Sequence, residues 1–324
     1  MTTMHPWNEP ILESLKRRVD TLPHAVLVHG PQGVGKLALA ERAAQLLLCE
    51  AADPARKPCG ACDGCRWYLG GNHPDFRRVE PEALAPQVET EVETAGPARK
   101  GKPSQEIKID QVRELAGFLN IGSHRGRRRV ALVHPAEEMN DNAANALLKG
   151  LEEPPAGAMF VLVSHRPMRL LATIRSRCVA VPVPPPPRDA ALEWLSAKGF
   201  KDAERWLAYA GGAPLRALDY ASSAETVDRL LAAIRARGQV LVDDREDLEA
   251  LAEALQKVAL DQALTAFGAP TKYATTPSRA SPAGAKAWLA FARQMGRNRA
   301  LARHPLNARL FAAEMLAAMP PADA

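Results

Sequence analysis

The sequence predicts an α/β fold with a parallel sheet, followed by a mostly helical remainder. Three observations carry this. Residues 25–29 (AVLVH) form a short apolar run, followed at once by GPQGVGK at 30–36 and an Ala/Leu-rich stretch to about 48. Strand, glycine loop and helix in that order are the context of a phosphate-binding loop. Residues 130–133 (VALV) and 159–164 (MFVLVS) are apolar on both faces, as strands covered by helices on both sides are. From about residue 225 the pattern is nearly all helical, broken at 268–281.

At 324 residues and 47% hydrophobic content, the chain can hold two or three domains with real cores. Its apolar runs fall far short of the roughly 20 residues of a membrane span. The start, with Pro6, Trp7, Asn8 and Glu9, is not a basic region followed by an apolar one, so a cytoplasmic protein without a membrane partner is expected. The net charge of +5, from 42 basic and 37 acidic residues, permits nucleic-acid contact without implying it. Five cysteines without an export signal argue for metal rather than disulfides.

Residues 11–19 read as a short helix ahead of the first strand. In the loop that follows, backbone N–H groups and Lys36 would hold phosphates, so Gly30, Gly33, Gly35 and Lys36 are the candidate nucleotide-binding residues. Leu37 stands where a Ser or Thr hydroxyl would hold Mg²⁺. Next come Cys49, Cys59, Cys62 and Cys65, spaced C-x9-C-x2-C-x2-C, with Gly60 and Gly64 allowing tight turns between ligands. This set suits tetrahedral Zn²⁺; four thiolates leave no open position, so the metal would be structural. Unrelated buried cysteines would not fall at two-residue gaps in a reducing compartment. His73 is close enough to be an alternative ligand, but HPDF at 73–76 reads better as the exit turn.

Residues 81–105 show no periodicity and are expected to form a mobile surface loop. Residues 107–119 read as a short strand and a helix capped by Asp110. The run HRGRRR at 124–129 is the most basic stretch; it suits phosphate contact, although such a run is more often a solvated loop. The strand at 130–133 then feeds a helix capped by Asn140 or Asp141, with Ala143, Ala144, Leu147, Leu148 and Leu151 on one face and Pro154 and Pro155 as its stop. In an ATPase the tip of this strand carries an Asp for Mg²⁺ and a Glu for water. Here it carries His134 and Pro135, and Glu137 and Glu138 are expected past the strand end, pointing elsewhere. A helix or turn at 170–177 ends at Cys178. A strand at 179–183 then runs into four prolines at 184–187, which mark a domain boundary. Helices are expected at 189–198, 203–210, 285–295 and 302–319.

Taken together, the phosphate loop, the cysteine module, NHPDF at 72–76, IDQVREL at 109–115, NALLKGLEEP at 145–154, SRC at 176–178 and HPLNARL at 304–310 resemble the δ′ subunits of bacterial DNA polymerase III clamp loaders, members of the AAA+ superfamily. The resemblance spans most of the chain apart from 81–105. It implies an AAA+ core with an inserted zinc module at 1–184, a small helical lid at 185–224 and a helical collar for oligomerisation at 225–324. It further implies assembly with γ/τ and δ subunits into a ring that opens the β sliding clamp and places it on primed DNA, as part of the polymerase III holoenzyme. In such rings the SRC arginine of one subunit reaches the ATP of its neighbour, a role that would fall in trans to Arg177.

A planar, always-charged guanidinium suits that role chemically. The bland alternative is that Arg175 and Arg177 pair with surface acids. Two functional classes therefore compete: an ATPase in its own right, and a non-hydrolysing partner that lends Arg177 to a neighbour. The missing metal ligands at Leu37 and at His134-Pro135 favour the second, with nucleotide binding at the loop weak or absent. A sequence-specific DNA reader of the zinc-finger kind fits poorly, because no helix with two His follows Cys65.

Overall fold

The computed structural model describes residues 3–85, 103–124, 128–238, 240, 242, 244–275, 284–302 and 306–321. Most of the expected loop at 81–105, the middle of the basic run (125–127), the end of the break at 268–281 and the start of the string at 304–310 lie outside them. The chain divides into two compact units, Met1–Pro185 and Pro186–Ala324.

In the first unit the elements run α1 (Glu9–Arg17), β1 (Ala25–His29), α2 (Lys36–Leu48), α3 (Asp63–Leu69), β2 (Phe76–Val79), α4 (Ile109–Asn120), β3 (Arg129–Val133), α5 (Asp141–Glu152), β4 (Ala158–Ser164), α6 (Ala172–Arg175) and β5 (Val179–Pro182). The strands form one parallel sheet in the order β2-β3-β4-β1-β5. Every residue of β3 and β4 is buried, which is why both read as apolar runs between Arg129 at the start of β3 and Ser164 at the end of β4. Pro182 closes edge strand β5, where a missing N–H does no harm. Because β1 lies between β4 and β5 while the chain next crosses to the far edge, the loop after β1 opens at the sheet's C-terminal edge, beside the ends of β4 and β5.

Helix α5 starts as expected: Asn140 Oδ1 accepts the N–H of Ala143 (2.9 Å). Its Ala143, Ala144, Leu147 and Leu151 are buried in a core shared with Phe160, Leu162 and Ile174. The start of α4 differs from expectation. Gln111 Oε1 reaches back to the N–H of Lys108 (2.9 Å), while Asp110 sits in the first turn and pairs with Arg113 (3.3 Å). Ile107 makes only an isolated bridge to Met139 instead of a strand. The described ends of the 81–105 segment are tied together, with Ala83 N–H donating to Ser104 O (3.0 Å) and Glu82 paired with Lys108 (2.7 Å).

The second unit comprises α7 (Arg188–Ala197), α8 (Ala203–Tyr209), α9 (Pro214–Ser222), α10 (Ala224–Ala236), α11 (Arg245–Ala266), α12 (Ala285–Leu301) and α13 (Ala308–Ala317). One apolar core runs through it from Ala191 to Met319 and takes in residues on both sides of position 224. Within it Glu253 is ringed by Arg216 (3.1 Å), Arg299 (3.2 Å) and Lys257 (3.4 Å), whose charges hold its carboxyl down to about 2 against the opposing effect of burial. No described helix is long and apolar enough to cross a membrane.

Candidate functional site

The phosphate loop joins β1 to α2. Gly30 has φ +154°, and a Cβ on it would lie 2.1 Å from the carbonyl oxygen of Val183, so the loop passes too close to the end of β5 for any side chain. Gly35, at φ +83°, is the N-cap of α2, and a Cβ there would meet His5 Cδ2 at 2.4 Å. His5 belongs to an amino-terminal segment seated on the loop. Asn8 Nδ2 donates to Val34 O (3.0 Å) and Gly35 O (3.3 Å), Trp7 Nε1 donates to Val34 O (3.0 Å), and the His5 ring stacks on Trp7 at 4.8 Å.

Lys36 is turned inward. It is only 2% exposed and its ammonium donates to Pro31 O within its own loop. Burial brings its pKa down to about 7, partly opposed by the charge of Glu137. His134 is held down to about 4, first by burial and then by the charges of Arg78 and Lys36, so it stays neutral near pH 7. Leu37 follows Lys36 as expected, and β3 gives way to His134 and Pro135, so neither place of a Mg²⁺ ligand offers a side-chain oxygen. The expectation for Glu137 is corrected. It does not point elsewhere but turns back to the sheet's edge, where its buried Oε1 accepts the N–H groups of His165 (2.8 Å) and Arg166 (3.1 Å). Those two donors follow directly after β4, and satisfying them fixes the end of that strand.

Arg177 lies at the other end of the sheet. Pairing of β1 with β5 runs from Val26–Val179 to His29–Pro182, so Gly30 follows the end of β1 while Arg177 precedes the start of β5. Three steps of paired strand, about 10 Å, lie between even the nearest parts of the two sites. The Arg177 side chain is 34% exposed; Nη2 meets Glu152 Oε1 at 2.8 Å and Nη1 donates to Thr173 O at 3.0 Å.

The four expected thiols converge. Their sulfur atoms all lie within 4.8 Å of one another, and Cys49 Sγ is 3.9 Å from Cys62 Sγ. Tetrahedral zinc with bonds of about 2.3 Å needs sulfurs about 3.8 Å apart, so the residues fit that ion. Backbone N–H groups point at the sulfurs: Glu50 N at Cys62 (3.3 Å), Cys59 N at Cys49 (3.4 Å), Cys62 N at Cys59 (3.3 Å) and Cys65 N at Cys62 (3.4 Å). Donors at Ala61 and Cys62 bring the Cys59 thiol down to about 6, whereas burial pushes Cys65 up to about 12. Coordination by a cation would deprotonate all four. His73 stays outside the cluster, its Nδ1 accepting the N–H of Asp75 (3.0 Å). Helix α3 is capped by Cys62 and docks on α2 through Tyr68 Oη, which donates to Glu41 O (2.8 Å).

The basic run is only partly a solvated loop. Arg129 is buried at the start of β3; its Nε lies 3.3 Å from Asp75, an Nη donates to Phe118 O, and the guanidinium stacks over Phe118 at 4.7 Å. Asp75 also accepts from Ser123 Oγ (2.9 Å) and His124 N (3.0 Å), so Arg129 serves the fold and is unavailable to a phosphate.

Sequence reasoning missed Glu137, Glu152 and the amino-terminal segment. Two acids after a buried strand look like an ordinary solvated turn, and nothing local in residues 5–8 announces a contact with residues 34 and 35.

A family profile described as "DNA polymerase III, delta subunit" matches residues 7–187. The chain is 43% identical over 222 residues to DNA polymerase III subunit delta' of Pseudomonas aeruginosa, covering 67% of this chain and 61% of that one. It is 38% identical over 194 residues to DNA polymerase III subunit delta' of Escherichia coli, covering 59% and 52%. DNA polymerase III subunit tau of Salmonella typhimurium is 34% identical over 156 residues, covering 48% of this chain and 21% of that one. The chain thus spans between half and two thirds of the length of these delta' relatives.

Proposed function

Because the chain belongs to the DNA polymerase III, delta subunit family, we propose that it is a δ′-type subunit of a clamp loader that hydrolyses no ATP itself and lends Arg177 to the nucleotide site of a neighbouring γ/τ subunit. With δ, these subunits form a ring that opens the β sliding clamp and places it on primed DNA. The observation that carries the reading is the contrast at the two metal-ligand places: Leu37 and His134-Pro135 supply no oxygen to a divalent cation, and the cation is what neutralises the phosphate charge in hydrolysis. Burial of Lys36, whose ammonium is spent on Pro31 O within its own loop, supports it further. So does the separation of Arg177 from its own phosphate loop, which leaves the partly exposed guanidinium to act on another chain.

In this reading zinc at Cys49, Cys59, Cys62 and Cys65 is structural, holding the module on α2. The helical lid at 185–224 and collar at 225–324 serve assembly. A second reading, an ATPase that uses its own loop, draws on one observation, the buried Glu137 carboxylate whose charge acts on Lys36. Its Oε1 is taken by two backbone donors while Oε2 is buried without a hydrogen-bond partner among the described residues, so what weighs against this reading is the lack of a side-chain oxygen at Leu37 and at His134-Pro135.

The test is Arg177→Ala in a loader reconstituted from this chain with γ/τ, δ, clamp and primed DNA. Hydrolysis at the site facing this subunit should fall by roughly 10³, the lower end of what an arginine supplied in trans contributes. Unchanged hydrolysis would remove the trans role.

A further inference from the structure

We infer that Glu152 is a positioning residue, which holds the Arg177 guanidinium in the orientation in which it meets a neighbouring subunit's nucleotide phosphate; this rests on the trans reading above. Arg177 has two close anchors on different helices, beside a longer contact from Nη1 to Ser176 Oγ (3.5 Å). Glu152 Oε1, on the last residue of α5, takes Nη2 at 2.8 Å, and Thr173 O, in the first turn of α6, takes Nη1 at 3.0 Å. Two anchors on two sides fix the plane of the fork as well as its place. A guanidinium carries five N–H donors. With the side chain 34% exposed, the donors not spent on these anchors remain open to an anion from outside the chain. A long side chain already ordered loses less freedom when the phosphate arrives. The nearby Arg175 has no comparable hold: its Nη1 meets Met168 Sδ, a weak acceptor.

Where Glu152 sits argues against a purely stabilising purpose. It ends α5 and Glu153 follows as the C-cap, so two carboxylates occupy the helix end where the macrodipole disfavours anions. Its pair with Arg177 is half open to solvent, with Glu152 49% exposed, and such pairs add little to folding. A carboxylate set against the dipole and paired with the one arginine assigned to catalysis is better explained by aiming that arginine.

The experiment compares variants in the reconstituted loader, with thermal unfolding of the chain alone alongside. Glu152→Ala should lower kcat at the site facing this subunit about two- to fivefold, the scale an exposed ion pair allows, with KM for ATP unchanged. Glu152→Gln keeps an acceptor oxygen and should recover most of the rate. Glu152→Ala combined with Arg177→Ala should be no slower than Arg177→Ala alone, because the first residue acts only through the second. The thermal midpoint of Glu152→Ala should stay level or rise, since a charge leaves the wrong helix end. Normal kcat in Glu152→Ala, with Arg177→Ala still crippled, overturns the positioning role and spares the trans reading. An Arg177→Ala loader of normal rate overturns both. A kcat loss that tracks a lowered thermal midpoint, and that Glu152→Gln does not relieve, marks Glu152 as structural and also overturns the inference.

Discussion

Lys36 and Arg177 sit at opposite ends of the paired strands β1 and β5, and their surroundings differ in every respect that matters for phosphate chemistry. Lys36 is buried, bonded to a carbonyl of its own loop and brought down to about 7 by desolvation. Arg177 is partly exposed and is held by Glu152 and Thr173. The loop keeps its glycine geometry because that geometry packs against the end of β5 and seats residues 5–8. On the proposed function, the phosphate-binding fold serves here as a scaffold, and the group that would act on a phosphate lies at the other end of the sheet.

After the roughly 10³-fold loss expected at Arg177, the next largest effect that sharpens this contrast belongs to Gly30. Gly30→Ala would drive a methyl group to 2.1 Å from Val183 O and should cost about 3 kcal/mol, measured as a shift in the urea midpoint at constant m. A wild-type midpoint would mean that the loop is not packed as a scaffold. The smallest effect concerns Lys36. Its pKa is about 7 folded against the ordinary 10.5, so between those values the unfolded chain binds more protons and stability rises with pH from about 7 towards 10.5. Lys257, also held at about 7 by burial, adds to the same slope. Lys36→Met should remove part of that slope in pH-dependent denaturation, leaving the share of Lys257. A slope unchanged by the substitution would mean that Lys36 is solvated and free to meet a nucleotide.

What the sequence revealed follows from where the determinants lie. β1, the loop and α2 are contiguous, and their periodicity and glycines are local properties; the expected strand at 25–29 is the strand observed. The convergence of the four thiols, which could hold a metal ion, was legible because two-residue gaps between cysteines leave few other purposes. By contrast, β2 (FRRV) shows no apolar alternation, because it is an edge strand whose Arg77 and Arg78 face outward in part; Arg78 is tied to Glu41 (3.0 Å) and Glu80 (2.5 Å). Helix α3 was hidden among the cysteines, too short for periodicity to register. The burial of Arg129 depends on Asp75 and Phe118, and the aim of Arg177 on Glu152, partners far away in the chain that no local pattern announces.

The most direct measurement is Mg²⁺-dependent ATP turnover by the purified chain alone, repeated after adding γ/τ and δ subunits. The account predicts no turnover above background by the chain alone, and DNA-stimulated hydrolysis only in the mixture. Sustained turnover by the isolated chain, abolished by Lys36→Ala, would contradict it.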